Sequence, residues 1–213
     1  MRTRLSTLFD ALLPVLATLA ALAVGAVMLL IMGVNPIEAY AAMWEGAFGS
    51  GNAFAETLVK ATPLLLVALG ICISFRGDVI NIGGEGQMII GAVLATWLGL
   101  SLTNWPGWLV ITLSMLAGFM GGAIWGGIPG ILKAYFNVNE ILSTVMMNAI
   151  AVQLMNFLLR GPMIDPSQAE RASKIPQTAR LIEEFHLARL VPTRLHAGAL
   201  IAVALAVLVY ILL

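Results

Sequence analysis

The sequence RGDVINIGGEGQMIIG at residues 76–91 interrupts a chain that is otherwise strongly apolar. Charged and amide side chains are concentrated in it, namely Arg76, Asp78, Asn81, Glu85 and Gln87. Polar or irregular backbone at membrane depth persists only where protein or a water-filled cavity covers it. We therefore predict that this stretch, the 76–91 break, is a functional part of a membrane protein.

The composition of the chain supports the membrane assignment. Hydrophobic residues make up 60% of it, charged residues only 10%, and the mean hydropathy is +0.97. A soluble domain carries about 25% charged residues, so an aqueous surface could not be covered here. The 11 basic and 11 acidic residues balance, which argues against a nucleic-acid partner. One cysteine, Cys72, allows no intramolecular disulfide.

The apolar runs predict the number of membrane spans. A helix needs roughly 20 apolar residues to cross the hydrocarbon core, and runs of this kind lie at 11–32, 61–75, 86–132 (divided by a turn at 104–107), 141–159 and from 197 onward. The first run is too long for a signal peptide and is predicted to be retained. The sequence thus predicts an all-α integral membrane protein. It would form one transmembrane domain over 1–213, a polytopic helical bundle of about six transmembrane helices with one polar, glycine-rich break.

The basic residues of the N-terminus and the short loops predict how the chain is oriented in the membrane. With the N-terminus in the cytoplasm, Arg2, Arg4, Arg76 and Lys133 all fall on the cytoplasmic side, as the positive-inside rule requires. The loops 33–57 and 161–196 are then extracytoplasmic, although the second is rich in arginine, including Arg171, and also holds Lys174. We give the short loops more weight. A short helix after Asn35-Pro36 is expected to lie along the membrane interface.

The predicted fourth span carries glycines at every fourth position, Gly118, Gly122, Gly126 and Gly130. Small residues at this spacing share one helix face and let a second backbone approach closely. We interpret them as a helix-packing seam; a role in helix sliding during transport is the alternative.

Nucleotide-binding motifs do not explain the 76–91 break. A phosphate-binding loop needs Lys and Ser or Thr after its glycines, whereas Gln87-Met88 follow here. The strand–turn–helix context of a dinucleotide fingerprint is also missing. Two interpretations stay open. The break either faces a translocation path, or it is an ordinary cytoplasmic loop whose following helix is capped by Asn81.

The fifth predicted span contains polar side chains, with Thr144 and Asn148 on one helix face and Gln153 pointing away. Amides inside a membrane face a helix bundle or a cavity, so they either form interhelical hydrogen bonds or contact solute. The candidates for a substrate path are Asn81, Glu85, Gln87, Asn148 and Asn156. Glu140, at the start of the span, could stabilise a helix N-terminus by its charge.

Enzyme chemistry is not indicated. The two histidines, His186 and His196, lie in or beside the long loop without metal-ligand spacing, and no nucleophile–base pair is evident. We predict no catalytic residue, metal site or cofactor in this chain.

Four blocks of the chain resemble the permease subunits of bacterial ABC importers, at 35–50, 75–92, 126–163 and, more weakly, 189–198. The strings NIGGEGQ (81–87) and NVNEILSTVMMN (137–148) carry the resemblance. They are similar to the ribose and branched-chain amino acid permease superfamily, and most of all to its nucleoside and simple-sugar branch. Members of that family continue beyond the sixth span, so the chain is expected to be a fragment or the product of a truncated gene.

The resemblance implies a transport machine in the bacterial cytoplasmic (inner) membrane. Such permeases pair with a second permease subunit, identical or homologous. They work with two cytoplasmic ABC ATPase subunits that bind ATP and an extracytoplasmic solute-binding protein or lipoprotein. The family topology also puts 161–196 outside, and the 81–87 motif would line or support the path with Asn148 on a neighbouring helix. Amide-bearing, charge-poor walls suit a neutral solute moved by alternating access. The alternatives are an ATPase-independent secondary transporter or channel and a structural membrane subunit.

Overall fold

A computed structural model describes residues 4–169 and 175–213, which form two compact units, 1–57 and 58–213. Arg2, Arg171 and Lys174 lie outside the described residues. The helices are α1 (Arg4–Ile31), α2 (Pro36–Phe48), α3 (Gly51–Arg76), α4 (Gly84–Ser101), α5 (Gly107–Phe136), α6 (Glu140–Arg160), the short α7 (Pro166–Ala169) and α8 (Gly198–Leu212). Within the described ranges there is no β-strand, only an isolated bridge between Arg189 and His196.

The all-α membrane architecture predicted from hydropathy is confirmed. The six predicted spans correspond to α1, α3, α4, α5, α6 and α8. In the part of the chain that the structure describes, four segments are long and apolar enough to cross a membrane: Leu12–Ile31, Gly51–Arg76, Gly107–Phe136 and Glu140–Arg160. The α8 helix is equally apolar but shorter, with 15 residues, and α4 has 18 residues and starts with a polar turn.

The unit 1–57 contains the short helix that Asn35-Pro36 predicted. Asn35 is the N-cap of α2, where its side-chain oxygen accepts a hydrogen bond from the Ile37 N–H at 3.0 Å, and Pro36 occupies the first helical position. Within this unit α2 contacts α1, because the Tyr40 hydroxyl donates to the Leu22 carbonyl at 2.6 Å. The position of α2 at a membrane interface stays a prediction.

The third helix begins earlier than its apolar run predicted. It starts at Gly51 rather than near residue 61, so 51–57 are helical and not part of a loop over 33–57. Ser50 explains the start, since its hydroxyl oxygen accepts from the Ala53 N–H at 3.0 Å. Glu56 and Lys60 lower the mean hydropathy of these turns but do not break the helix, because glutamate and lysine both have high helix propensity.

The end of α3 is a six-to-one turn that begins the 76–91 break. The Val79 N–H donates to the Ser74 carbonyl at 3.1 Å, and Asp78 adopts a left-handed backbone with φ 55°. This arrangement satisfies carbonyls that the helix end would leave free. Aspartate tolerates the left-handed region better than most residues, so the turn forms without glycine at this position.

The centre of the unit 58–213 is the antiparallel pair of α4 and α5, joined by the predicted turn at 104–107. The two backbones approach closely at Gly91 and Gly118, since a Cβ built on Gly91 would lie 2.7 Å from the Gly118 carbonyl oxygen. Helix α6 packs on both helices, and Ala151 on it is fully buried. This three-helix group positions the break.

Candidate functional site

The backbone between α3 and α4 is non-helical from 77 to 83, and it turns on Asn81. The Asn81 side-chain oxygen accepts from the Gly83 N–H at 2.8 Å, an Asx turn that stabilises the connector. The N-cap residue of α4 is Gly83, which has no side chain to make a capping hydrogen bond. The interpretation of Asn81 as the helix cap is therefore wrong. Asn81 lies two residues before the N-cap position, and its oxygen accepts from the N–H of the N-cap residue Gly83 rather than from the first turn of α4.

Asn148 on α6 holds the first turn of α4 from outside that helix. Its side-chain oxygen accepts from the Gly86 N–H at 2.8 Å, and its side-chain nitrogen donates to the Ile82 carbonyl at 2.9 Å. The first N–H groups of a helix have no partner within it. Asn148 supplies a partner for one of them and also satisfies a carbonyl of the connector, so one end of its amide is bonded to α4 and the other to the connector.

We call the two hydrogen bonds of Asn148, to Gly86 and to Ile82, the Asn148 clamp. Two further side chains pack around it. Thr144, one turn before Asn148, is 3% exposed and lies against Gly83, where a Cβ would come within 3.2 Å of the Thr144 Cβ. The predicted shared face of Thr144 and Asn148 is thereby confirmed. Trp125 on α5 donates from its indole N–H to the Met147 carbonyl at 3.3 Å. Gly86 fits between Trp125 and Asn148 only because it has no Cβ.

Gln87 follows the clamp on α4 and spans the space between the connector and α5. Its side-chain nitrogen lies 3.4 Å from the Asn81 oxygen, a long hydrogen bond. On the other side its amide rests on Gly126, where a Cβ would come within 2.7 Å of the Gln87 nitrogen. Asn81 and Gln87, two predicted path residues, thus touch each other.

The glycine stripe of α5 lies partly against α4. Gly118 faces Gly91, and Gly122 and Gly126 face the Gln87 backbone and side chain. Gly130 is a correction to the predicted seam, since a Cβ built on it meets nothing within 4 Å. The physical reason is the register: α4 begins at Gly84, so its antiparallel backbone does not extend far enough to reach Gly130.

Cavities surround the Asn81–Gln87 contact. One cavity, of about 840 Å³, runs from Gln87 along α4 and α5 to the long loop, where Phe185, His186, Arg189, Arg194 and His196 line it. Two others lie beside the contact and include both amides, with volumes of about 260 and 510 Å³. A further cavity of about 380 Å³ reaches from Asn81 and Gly126 to Lys133 and Glu140.

The other two predicted path residues lie elsewhere. Glu85 is exposed in the first turn of α4, where its negative charge favours the helix N-terminus. Asn156 lies two turns beyond Asn148 and lines a separate pocket with Gln153 and Arg160. The structure therefore brings together Asn81, Gln87 and Asn148, and it leaves Asn156 apart from them.

Sequence reasoning missed two features of the site. One is Trp125, whose indole lies behind Gly86; an indole N–H in an apolar span, which requires a partner, was the available signal. The other is the ion pair between Lys133 and Glu140, 2.8 Å apart. Glu140 does lie in the first turn of α6, as predicted, next to the N-cap Asn139, whose oxygen accepts from Ile141 and Leu142.

Comparison with known proteins identifies the family of this chain. Residues 53–213 match the family described as branched-chain amino acid transport system, permease component. The chain is 37% identical over 209 residues to the glucose ABC transporter permease protein TsgB13 of Haloferax volcanii, covering 93% of this chain and 53% of that protein. It is 34% identical over 199 residues to the guanosine ABC transporter permease protein NupP of Bacillus subtilis, covering 93% of this chain and 56% of that protein.

A shorter similarity extends to a second guanosine permease of the same bacterium. The chain is 36% identical over 104 residues to NupQ of Bacillus subtilis, which covers 49% of this chain and 33% of that protein. The chain spans about half the length of the curated relatives TsgB13 and NupP. No solved structure matches it significantly. By the match over most of its length, this chain belongs to the branched-chain amino acid transport system permease family.

Proposed function

We propose that this chain is a permease subunit of an ABC importer that moves a neutral polar solute, a nucleoside or a simple sugar, by alternating access. Its relatives carry the names of ABC permeases for glucose and guanosine, which supports this solute class. The proposal includes the cytoplasmic membrane, a cytoplasmic N-terminus, and extracytoplasmic positions for the loop 161–196 and for the part of 33–57 outside α3.

The proposed partners follow from the same relatives. Bacillus subtilis has two guanosine permeases, NupP and NupQ, and both are similar to this chain. We therefore propose a second permease subunit, homologous or identical, together with ATPase subunits that bind and hydrolyse ATP and a solute-binding protein or lipoprotein outside. No cofactor is assigned to this chain.

The proposal depends on one observation, namely that the side-chain amides of Asn81 and Gln87 both line the same cavities. Within the described residues, the Asn81 side-chain nitrogen and the Gln87 side-chain oxygen make no hydrogen bond, although both side chains line the same two cavities. They offer a donor and an acceptor without charge. Such groups orient a neutral hydroxyl- or amide-bearing solute, whereas an ionic solute would require a compensating charge.

Uptake of [³H]guanosine and [¹⁴C]glucose by cells with the complete transport system tests this proposal. Replacing Asn81 and Gln87 together by alanine should reduce uptake about tenfold, as expected when polar contacts made to the moving solute are lost. Asn156→Ala is the matched control, since it removes an amide of the same class from a separate pocket and should retain uptake. Unchanged uptake by an assembled Asn81→Ala, Gln87→Ala complex would instead favour a structural subunit.

A further inference from the structure

Three cavities follow one another along the glycine-bearing face of α5. The first, about 840 Å³, uses α5 between Ile111 and Phe119; the second, about 510 Å³, continues from Gly118 to Gly126. The third, about 380 Å³, begins at Gly126 and continues to Ala134. Consecutive cavities share α5 residues, so the series covers most of this helix from the loop side to the Lys133 side.

The two amides lie at the junctions of this series. Gln87 lines the first and second cavities, and Asn81 lines the second and third. Their side chains meet at 3.4 Å in the middle. A solute that moves between the first and third cavities therefore encounters the Asn81–Gln87 contact.

The two partners of the contact are held to different degrees. Asn81 is fixed by its 2.8 Å hydrogen bond with the Gly83 N–H, in a connector that Asn148 holds through the Ile82 carbonyl. The only hydrogen bond of the Gln87 side chain within the described residues is the long one to Asn81. The Gln87 amide occupies the space that a Cβ on residue 126 would take, and it can do so only because this residue is glycine. Gln87 is consequently the partner that can move.

We propose that the Gln87–Asn81 hydrogen bond is a gate between the first and third cavities, with Gln87 as the moving residue. Gly126 is required because a side chain at this position would displace the Gln87 amide from Asn81. This inference rests on the proposed transport function. A solute hydroxyl or amide N–H can replace the Gln87 nitrogen on the Asn81 oxygen. One hydrogen bond to that oxygen is then exchanged for another, at little net cost, while the Gly83 N–H keeps its own bond to the oxygen. Apolar solutes offer no such exchange, so the gate also selects for hydrogen-bonding cargo.

Passive leak through the assembled importer in proteoliposomes tests the gate. Vesicles preloaded with [¹⁴C]glucose or [³H]guanosine, without ATP, should release the probe about tenfold faster with Gln87→Ala than with the wild type. A tenfold ratio corresponds to about 1.4 kcal/mol, which lies within the range measured for one side-chain hydrogen bond in a membrane protein. Gly126→Ala should also accelerate release, because its methyl group displaces the Gln87 amide without removing it. Gly130→Ala is the matched control, since it lines the third cavity without touching either amide, and it should retain the wild-type leak.

The outcomes separate the gate from the transport function on which it rests. Wild-type leak in both assembled Gln87→Ala and Gly126→Ala complexes would overturn the gate, as would an equal increase in Gly130→Ala. If Gln87→Ala fails to assemble, the Gly126→Ala result decides. Absence of ATP-driven uptake of both probes by the wild-type importer would instead refute the proposed function, whatever the leak rates are.

Discussion

Removing the Asn148 side chain tests the interhelical clamp at the 76–91 break. In Asn148→Ala the Gly86 N–H and the Ile82 carbonyl lose partners that lie at 2.8 and 2.9 Å. Interhelical hydrogen bonds in membrane proteins contribute about 0.6 kcal/mol on average and up to about 1.7 kcal/mol. Two such bonds predict a loss of about 1–3 kcal/mol in the free energy of unfolding. Asn156→Ala, on the same helix, removes no hydrogen bond that the described residues make and should cost less than about 0.5 kcal/mol.

Two measurements follow this prediction. Denaturation in mixed detergent micelles gives the free energy of unfolding of each variant relative to the wild type. Hydrogen exchange by mass spectrometry should show faster exchange of the peptide containing the Gly86 amide in Asn148→Ala and an unchanged rate in Asn156→Ala. Equal stability and equal exchange for the two variants would refute the clamp.

Three further predictions concern helix packing, the ion pair and the turn after α3. Gly91→Ala places a methyl group 2.7 Å from a backbone carbonyl of α5 and should destabilise the protein by about 1–3 kcal/mol in the same denaturation assay. Gly127→Ala, which meets nothing within 4 Å, should not destabilise it. Lys133→Ala breaks a partly exposed ion pair with Glu140 and should cause at most a small loss of stability at low salt, which should shrink in high salt; a large, salt-independent loss would contradict a pair that is screened by solvent. Asp78→Val should lower the free energy of unfolding by about 1–2 kcal/mol, because a β-branched residue is strained at φ 55°. Asp78→Gly should not lower it, and equal effects of the two substitutions would contradict the left-handed turn.

The apolar runs were sufficient to predict the helices, because a membrane requires long, self-satisfied helical segments. The same rule led us to predict that the 76–91 break is functional, and this role stays a prediction. Hydropathy alone does not show where a helix is capped. The start of α3 depends on Ser50 and on two charged residues that a helix tolerates, Glu56 and Lys60, so the apolar run underestimated its length.

The contacts between helices could not be predicted from spacing alone. The periodicity of α6 placed Thr144 and Asn148 on one face, but it could not show that Asn148 reaches the first turn of α4. Gly130 shares the spacing of the other stripe glycines, yet the register of α4 against α5 leaves it beside a cavity. Register and partner choice are tertiary properties, and a single sequence does not encode them locally.

ATP dependence of uptake tests the central claim most directly. The complete system that we propose, comprising this permease, a partner permease, an ATPase and a solute-binding protein, is compared with one whose ATPase has its Walker lysine replaced by alanine. An ABC importer predicts that accumulation of [³H]guanosine or [¹⁴C]glucose falls to background in the variant while all subunits stay assembled. Undiminished accumulation in that variant would contradict the account and identify an ATPase-independent transporter or channel.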